Sequence, residues 1–151
     1  MDPIYVSAGP GDAAIILDMM REYYPIEGAA FCPDVQGPAL RALLADPALG
    51  RVYLVRQDEA IAGYVVLTFD YGLEAGGREM FIDELFIVER CRGLGLGTRV
   101  LEFVSGASRD LGGRALHLAV GFDNRRAREV YERHGFASTQ REMMTLVLVD
   151  S

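Results

Sequence analysis

Three alternate glycines carry the clearest chemical signal in the sequence. Gly93, Gly95 and Gly97 follow an apolar segment with the pattern of a strand, residues 80–88, and precede an apolar stripe with helical spacing. A turn of this kind exposes the unpaired N–H groups of a helix N-terminus, where the helix dipole also favours negative charge. Glycines let a phosphate approach the backbone closely. The segment therefore predicts an anion site.

The spacing of these glycines does not match the dinucleotide-binding fingerprint Gly-x-Gly-x-x-Gly. Counted from Gly93, the third glycine would fall at Thr98, and counted from Gly95 it would fall at Val100. The loop also lies late in the chain, whereas the fingerprint belongs to a first βαβ unit. A glycine-rich turn without a ligand is the alternative to an anion site.

The basic residues exclude two classes of enzyme. All 15 of them are arginine, so the chain has no lysine. A pyridoxal-phosphate enzyme needs a Schiff-base lysine, and a Walker-A loop needs a lysine of its own. Two cysteines and two histidines are few for a structural zinc site, so we expect no metal.

Charge is distributed unevenly along the chain. Residues 1–77 contain eleven acidic residues and four arginines and carry the whole net charge of −7, whereas residues 78–151 are balanced. An acidic chain without a basic stripe predicts no nucleic-acid partner. No apolar run reaches the roughly 18 residues of a membrane span, and the N-terminus lacks the basic and apolar regions of a signal peptide. We therefore expect a cytoplasmic protein without a membrane partner.

Hydrophobic periodicity predicts an α/β fold with a mixed central sheet, in a single domain over residues 1–151. The predicted element order is β-α-α-β-β-β-α-β-α-β, which differs from a run of βαβ units. Asp12 and Asp34 are expected to cap the first two helices, and Asp123 or Asn124 the last. The strands are expected at residues 4–8, 51–56, 60–69, 80–88, 115–120 and 136–149.

Two blocks of the sequence resemble those of a known enzyme superfamily. The stretch Arg92-Gly93-Leu94-Gly95-Leu96-Gly97 resembles the acetyl-CoA signature Gln/Arg-x-x-Gly-x-Gly/Ala of the GNAT N-acetyltransferases. The pattern Asn124-x-x-Ala127-x-x-x-Tyr131-x-x-x-Gly135-Phe136 resembles their Asn-x-x-Ala-x-x-x-Tyr-x-x-x-Gly-Phe block. The predicted element order is similar to that of the superfamily along the whole chain. The resemblance implies an acyltransferase that uses acetyl-CoA as cosubstrate.

The resemblance also implies which residues bind acetyl-CoA. The amides from Gly93 to Thr98 would hold the pyrophosphate, and Arg92 would add positive charge beside them. The side chain of Asn124 would contact the cofactor. The backbone positions expected to bind the pantetheine arm are Leu85, Phe86 and Ile87.

The expected reaction needs two proton transfers and no enzyme nucleophile, because an amine can attack a thioester directly. The amine, with a pKa of ~10, is mostly charged at neutral pH and must lose a proton. The leaving thiolate, with a pKa of ~8.5, gains from a donor such as a phenol. The resemblance places Tyr131 near the sulfur, so we expect it to be the general acid. The alternative is a core tyrosine, since Ala127 and Val130 share its helical face.

Glu84 is the expected general base. Strand alternation puts it on one face with Phe86, in an apolar segment where an acid is costly unless it is paired or catalytic. A structural salt bridge or a position at the sheet edge is the alternative, and Asp83 and His117 are rival bases. Some relatives that acetylate protein N-termini carry a base five residues before this asparagine, where this chain has Ala119. That departure weakens the case for protein acetylation and leaves open a base acting through water.

The expected acceptor is a small cationic amine. In this superfamily the loop between the first two helices contributes to the acceptor pocket, and the acidic half of this chain would attract a cation. The alternatives are acetylation of a protein lysine or N-terminus, and a non-catalytic module that only binds acyl-CoA. Because relatives are often dimers, a homodimer is left open. The candidate pocket residues are Tyr23, Tyr24, Glu27, Phe31 and Asp34.

Overall fold

The computed structural model describes residues 2–150, which form an α/β arrangement with a mixed sheet, as predicted. The chain forms two compact units, one that runs up to Ala119 and one that begins at Val120. The first unit contains all the strands and three of the four α-helices of the described residues.

The sheet of the first unit has five strands in sequential order. Neighbouring strands pair antiparallel, except the last two, which pair parallel, so the sheet is mixed. The strands are β1 (Ile4–Ser7), β2 (Gly50–Gln57), β3 (Ala60–Gly72), β4 (Gly77–Ile87) and β5 (Ala115–His117).

The helices begin and end close to the predicted positions. In the first unit they are α1 (Ala13–Ile26), α2 (Pro33–Ala45) and α3 (Leu96–Asp110), and in the second unit α4 (Arg125–Arg133). Short 3-10 turns cover Pro10–Asp12 and Glu89–Cys91.

Of the first two predicted helix caps, Asp12 is at the expected position and Asp34 is not. Asp12 is the N-cap residue of α1, although its carboxylate accepts a hydrogen bond from the N–H of Gly9 at 2.8 Å, in the preceding 3-10 turn, and none from α1. Asp34 lies inside the first turn of α2, because Pro33 is its first residue and Cys32 its N-cap. Proline suits that position, since its missing N–H has no partner there in any case.

The first unit packs apolar side chains on both faces of the sheet. Along β3, Tyr64 and Val66 pack toward α1 and α2, whereas Val65 and Leu67 pack toward α3. The core toward α1 and α2 includes Ile16, Met20, Leu40, Val52 and Phe86. The core toward α3 includes Val55, Ile87, Leu96, Val100 and Val104. The apolar stripe predicted after the glycines is buried at Val100, Leu101 and Val104 of α3.

Two irregularities of β4 shape the candidate site. Val66 pairs with Glu84 but Leu67 pairs with Ile82, so Asp83 is an extra residue at a β-bulge. On its other side β4 pairs with β5 only from Glu79 to Phe81. Among the described residues, the part of β4 that follows Phe81 therefore has no strand partner on that side.

The second unit contains α4 and an extended C-terminal segment. The strand predicted over residues 136–149 is wrong, since residues 136–150 form no strand. A strand needs a partner for its backbone hydrogen bonds, which apolar composition alone does not supply. The exposed apolar side chains of this segment are Met143, Met144, Leu146, Val147, Leu148 and Val149.

Candidate active site

The glycine loop has the geometry of a helix start that is open to a ligand. Gly93 and Gly95 have φ angles of 79° and 75°, a left-handed conformation that favours glycine. Gly95 is the N-cap of α3, and its carbonyl accepts the hydrogen bond of the Arg99 N–H at 3.3 Å. The three N–H groups before that bond lack an intrahelical partner. A Cβ atom added at Gly93, Gly95 or Gly97 would meet no atom within 4 Å, so the space beside the loop is open.

Both arginines near the loop have partners within the protein. The Nε of Arg92 donates to the carbonyl of Ile87 at 2.8 Å, and its guanidinium lies 5.5 Å from the ring centre of Phe86. Arg99 pairs with Asp2 at 2.8 Å, an ion pair that is largely exposed. The hydrogen bond from Arg92 to Ile87 connects the loop to the end of β4. Arg92 therefore has a structural role besides adding positive charge beside the loop.

The unpaired edge of β4 holds the residues predicted to bind the pantetheine arm. Leu85, Phe86 and Ile87 lie beyond the last residue that pairs with β5. Their other edge pairs with β3. An extended ligand can hydrogen-bond to such an edge as an added strand would. The Ile87 carbonyl already accepts a hydrogen bond from Arg92.

Glu84 lies at the centre of a hydrogen-bonded cluster inside the first unit. Its Oε2 accepts a hydrogen bond from the hydroxyl of Tyr24 at 2.6 Å, and its Oε1 accepts one from the hydroxyl of Tyr64 at 2.7 Å. Burial raises the pKa of the Glu84 carboxyl, the two hydrogen bonds lower it, and the charge of Asp83 raises it, with a net upward shift. The cluster therefore presents a carboxyl group that is a stronger base than an ordinary glutamate.

The two tyrosines of this cluster are held in their protonated form. Burial and the neighbouring Glu84 raise the pKa of both the Tyr24 and the Tyr64 hydroxyl far above the ordinary value. A phenol that keeps its proton can only support the carboxylate as a hydrogen-bond donor. Tyr24 and Tyr64 thus favour the charged form of Glu84.

Asp83, the first rival base, is the exposed residue of the β4 bulge. Partial desolvation raises the pKa of its carboxyl. The hydroxyls of Tyr24 and Tyr64 donate to the neighbouring Glu84 and not to Asp83. Asp83 contributes charge to the cluster through its position next to Glu84.

His117, the second rival base, pairs with Glu79, an acid that was not among the predicted site residues. Its Nε2 lies 2.6 Å from Oε1 of Glu79, and its ring lies 4.8 Å from that of Phe81. Leu116 packs toward α3, so alternation turns His117 to the α1–α2 side of the sheet. Glu79 and His117 thus form an acid–imidazole pair where β4 and β5 part.

Of the residues that were predicted to line the acceptor pocket, the structure brings three aromatic side chains together. Tyr24 contacts Glu84, and its ring packs edge-to-face with Phe31 at 5.7 Å and with Tyr23 at 6.0 Å between ring centres. Glu27 and Asp34 are exposed to solvent. Tyr64 was not predicted as a partner of Glu84, although a tyrosine in a mostly apolar strand signals a need for a polar partner.

The second unit contains the remaining predicted site residues. The side-chain oxygen of Asn124 accepts a hydrogen bond from the N–H of Ala127 at 3.3 Å. Asn124, one of the two residues predicted to cap the last helix, is therefore the N-cap of α4. Tyr131 is partly buried, and its ring centre lies 6.0 Å from that of Phe136. His134 contacts the carbonyl of Val130 through Nδ1 at 2.8 Å.

The first unit fits a phosphate-bearing cosubstrate such as acetyl-CoA. The open space around the three glycines and the unpaired N–H groups of α3 suit a pyrophosphate. Across residues 2–150, no group of three or more His, Cys, Asp or Glu side chains is arranged to hold a metal ion. None of the helices in that range combines the length and apolar character needed to cross a membrane.

Comparison with known proteins agrees with this arrangement. Residues 14–136 match the sequence model of the Acetyltransferase (GNAT) family. A thialysine N-epsilon-acetyltransferase from Sus scrofa is 28% identical over 141 residues, 85% of this chain and 80% of the relative.

Solved structures share the fold along nearly the whole chain. An integron cassette protein, HFX_CASS3, from the mobile metagenome of Cole Harbour Salt Marsh has a TM-score of 0.85 at 33% identity, over 97% of this chain and 91% of that structure. A predicted acetyltransferase from Clostridium acetobutylicum, solved with acetyl-CoA, has a TM-score of 0.79 at 17% identity, over 96% of each chain. On the family match, the chain belongs to the GNAT acetyltransferase family and is an acyltransferase.

Proposed function

We propose that this enzyme acetylates a small cationic amine, with Glu84 as the general base. The observation that carries the proposal is the Glu84 carboxyl, held by hydroxyls of Tyr24 and Tyr64 at 2.6 and 2.7 Å on the side of the sheet that α1 and α2 cover. The family match runs from residue 14 to residue 136 and so spans both compact units, which supports their acting as one enzyme domain.

The chain's own residues account for cosubstrate binding. We assign the pyrophosphate to the backbone N–H groups from Gly93 to Thr98, because the glycines leave open space there. The unpaired edge of β4 at Leu85 and Ile87 would bind the pantetheine arm. Asn124 would contribute through its side-chain amide, since its side-chain oxygen already caps α4. When bound, acetyl-CoA supplies an acetyl thioester that an amine nitrogen can attack.

The first proton transfer falls to Glu84. An ammonium acceptor has a pKa of ~10, so a base must remove its proton before the nitrogen can attack. The N–H bond breaks, the proton binds to the carboxylate, and the lone pair stays on nitrogen. Burial raises the pKa of Glu84, which brings it closer to that of the amine and makes the transfer easier.

The second proton transfer is assigned to Tyr131 in the second unit. Its hydroxyl would donate a proton to the leaving thiolate, which has a pKa of ~8.5. Support comes from its place in the Asn124 to Phe136 block and from its partial burial on α4. The role of Tyr131 as general acid does not depend on the role of Glu84 as general base, so the two are tested by separate variants.

Charge and aromatic side chains support a cationic acceptor. The carboxyl of Glu84 is flanked by Asp83, and the Tyr24 ring beside it meets Phe31. Carboxylates and aromatic faces both favour cations, and the Phe31 ring already has the guanidinium of Arg21 over its face at 5.0 Å. The Sus scrofa relative is named for acetylation of the N-epsilon amine of thialysine, which is consistent with a small amine.

The test is release of thiol from acetyl-CoA in the presence of an amine panel. The panel should contain polyamines, aminoglycosides, basic amino acids and a lysine-bearing peptide, so that small amines compete with protein acetylation. We expect turnover with a small polycationic amine and a strong loss in Glu84→Gln. If coenzyme A binds but no amine supports thiol release, the chain is a non-catalytic acyl-CoA-binding module instead.

A further inference from the structure

The Glu84 carboxyl has one phenol hydroxyl on each of its oxygens. Tyr64 donates to Oε1 at 2.7 Å and Tyr24 to Oε2 at 2.6 Å. The two donors come from different elements, β3 and α1, and lie 20 and 60 residues away along the chain. The charged groups and phenols that face this carboxyl are therefore Tyr24 from α1, Tyr64 from β3 and Asp83 from β4 itself.

The two donors differ in their surroundings. Tyr64 has no exposed surface and packs among aromatic rings, with Tyr23 at 6.3 Å and Phe86 at 6.1 Å. Tyr24 is partly exposed, and its ring packs edge-to-face with that of Phe31, in the segment that joins α1 to α2. Tyr64 is therefore held inside the core, whereas Tyr24 lies at the solvent-facing side of the cluster.

We infer that Tyr24 and Tyr64 are positioning residues for Glu84, each holding one oxygen of its carboxylate and both adjusting the basicity of the group. This inference rests on the proposed function, in which Glu84 is the base. An ionised carboxylate only accepts hydrogen bonds and has about four lone-pair sites. Two are filled by the phenols, so each oxygen keeps a site from which to take the proton of an ammonium group.

The physical consequence concerns which form of Glu84 is stable. Hydrogen bonds donated to the charged form favour it, and here they oppose the effect of burial. Burial raises the pKa of Glu84 and the hydrogen bond from Tyr24 lowers it. Removing the Tyr24 hydroxyl should therefore raise this pKa further, so that the carboxyl keeps its proton up to a higher pH. A purely structural tyrosine would change stability without moving this titration.

The experiment compares Tyr24→Phe with the wild type and with Tyr5→Phe. Tyr5 stacks on Phe103 on the α3 side of the sheet, with ring centres 4.0 Å apart, and serves as the matched control. Two quantities are measured: kcat/KM against pH with one amine, and the infrared titration of the Glu84 carboxyl, identified by its loss in Glu84→Gln.

We expect the acid limb of kcat/KM in Tyr24→Phe to move upward by about one pH unit, roughly a tenfold loss below the limb. Above the limb the two enzymes should converge, and Tyr5→Phe should follow the wild type throughout. The carboxyl band should shift by the same amount. Tyr64→Phe should move both quantities in the same direction, which keeps the test decisive if Tyr24→Phe folds poorly.

The outcomes separate this inference from the function on which it rests. A carboxyl titration that shifts while the activity profile stays fixed supports the hydrogen-bonded cluster but removes Glu84 as the base. A carboxyl titration that is unchanged in folded Tyr24→Phe and Tyr64→Phe overturns the inference, whatever the activity does.

Discussion

Nε2 of His117 lies 2.6 Å from Oε1 of Glu79, across the parallel pairing of β4 and β5. The pair joins residues 38 positions apart in sequence, beside the point where the two strands part. Through this contact His117 has a structural partner in Glu79. His117 and Glu84 can therefore be compared directly as candidates for the general base.

We predict that Glu84→Gln and His117→Gln differ strongly in rate. A general base contributes typically ~10²–10⁴-fold, so kcat should fall by that order in Glu84→Gln. Glutamine can keep a hydrogen bond to Glu79, so His117→Gln should lose less than about tenfold. The measurement is kcat with a poor amine that makes chemistry rate-limiting. The reverse ranking would transfer the base assignment to His117.

Removal of the Tyr131 hydroxyl should slow turnover far more than it weakens acetyl-CoA binding. Tyr131→Phe keeps the ring that packs against Phe136, so the comparison isolates the proton donor. The expected loss is ~10²–10⁴-fold in kcat, as for a general acid. Tyr71→Phe, at an exposed tyrosine of β3, is the control. An unchanged rate under chemistry-limited conditions would reduce Tyr131 to a packing residue.

Bulk at the start of α3 should weaken coenzyme A binding. Gly97 has helical backbone and open space around it, so Gly97→Val adds a side chain without backbone strain. Gly106→Val makes the same change farther along α3, also in open space, and should bind normally in calorimetry. Gly95→Val should weaken binding too, but its φ of 75° adds strain, so it is the less clean variant. Equal affinities in folded Gly97→Val and Gly106→Val would remove the pyrophosphate from this loop.

Salt should lower kcat/KM for a cationic acceptor and leave kcat nearly constant. The acidic first half of the chain would raise the local concentration of a cation, an effect that ionic strength screens. Glu27 and Asp34 are exposed, so Glu27→Gln and Asp34→Asn should raise KM modestly through this long-range attraction. A substrate with no positive charge beyond its reacting amine is the control. If kcat/KM for a polyamine does not change with salt, the acidic residues of the first half of the chain contribute to solubility and not to substrate attraction.

The raised pKa of Glu84 makes stability depend on pH. Its folded-state pKa lies above the ordinary value, so its contribution is fully present below the unfolded pKa of about 4.3 and is lost as pH rises through the folded pKa. Glu84→Gln does not titrate, so its free energy of unfolding relative to the wild type should increase between pH 4 and pH 7. Urea unfolding at both pH values measures this difference. Glu22→Gln, the same change at an exposed position of α1, is the control variant.

Local patterns in the sequence determined most elements and the glycine turn before α3. Alternation along β3 and the helical stripe of Val100 and Val104 arise from the periods of strand and helix, which any stretch of chain carries by itself. The glycines before α3 act through their own backbone, so their role in the turn is also local.

The tertiary structure alone decided which side chains meet. Tyr24, Tyr64 and Glu84 come together because α1 packs on the face of the sheet that holds the other two, and no spacing in the sequence encodes that contact. The Asp83 bulge and the Glu79–His117 pair depend likewise on strand register. The strand expected over residues 136–149 failed for the same reason, because apolar residues favour a strand but only a partner's hydrogen bonds complete one.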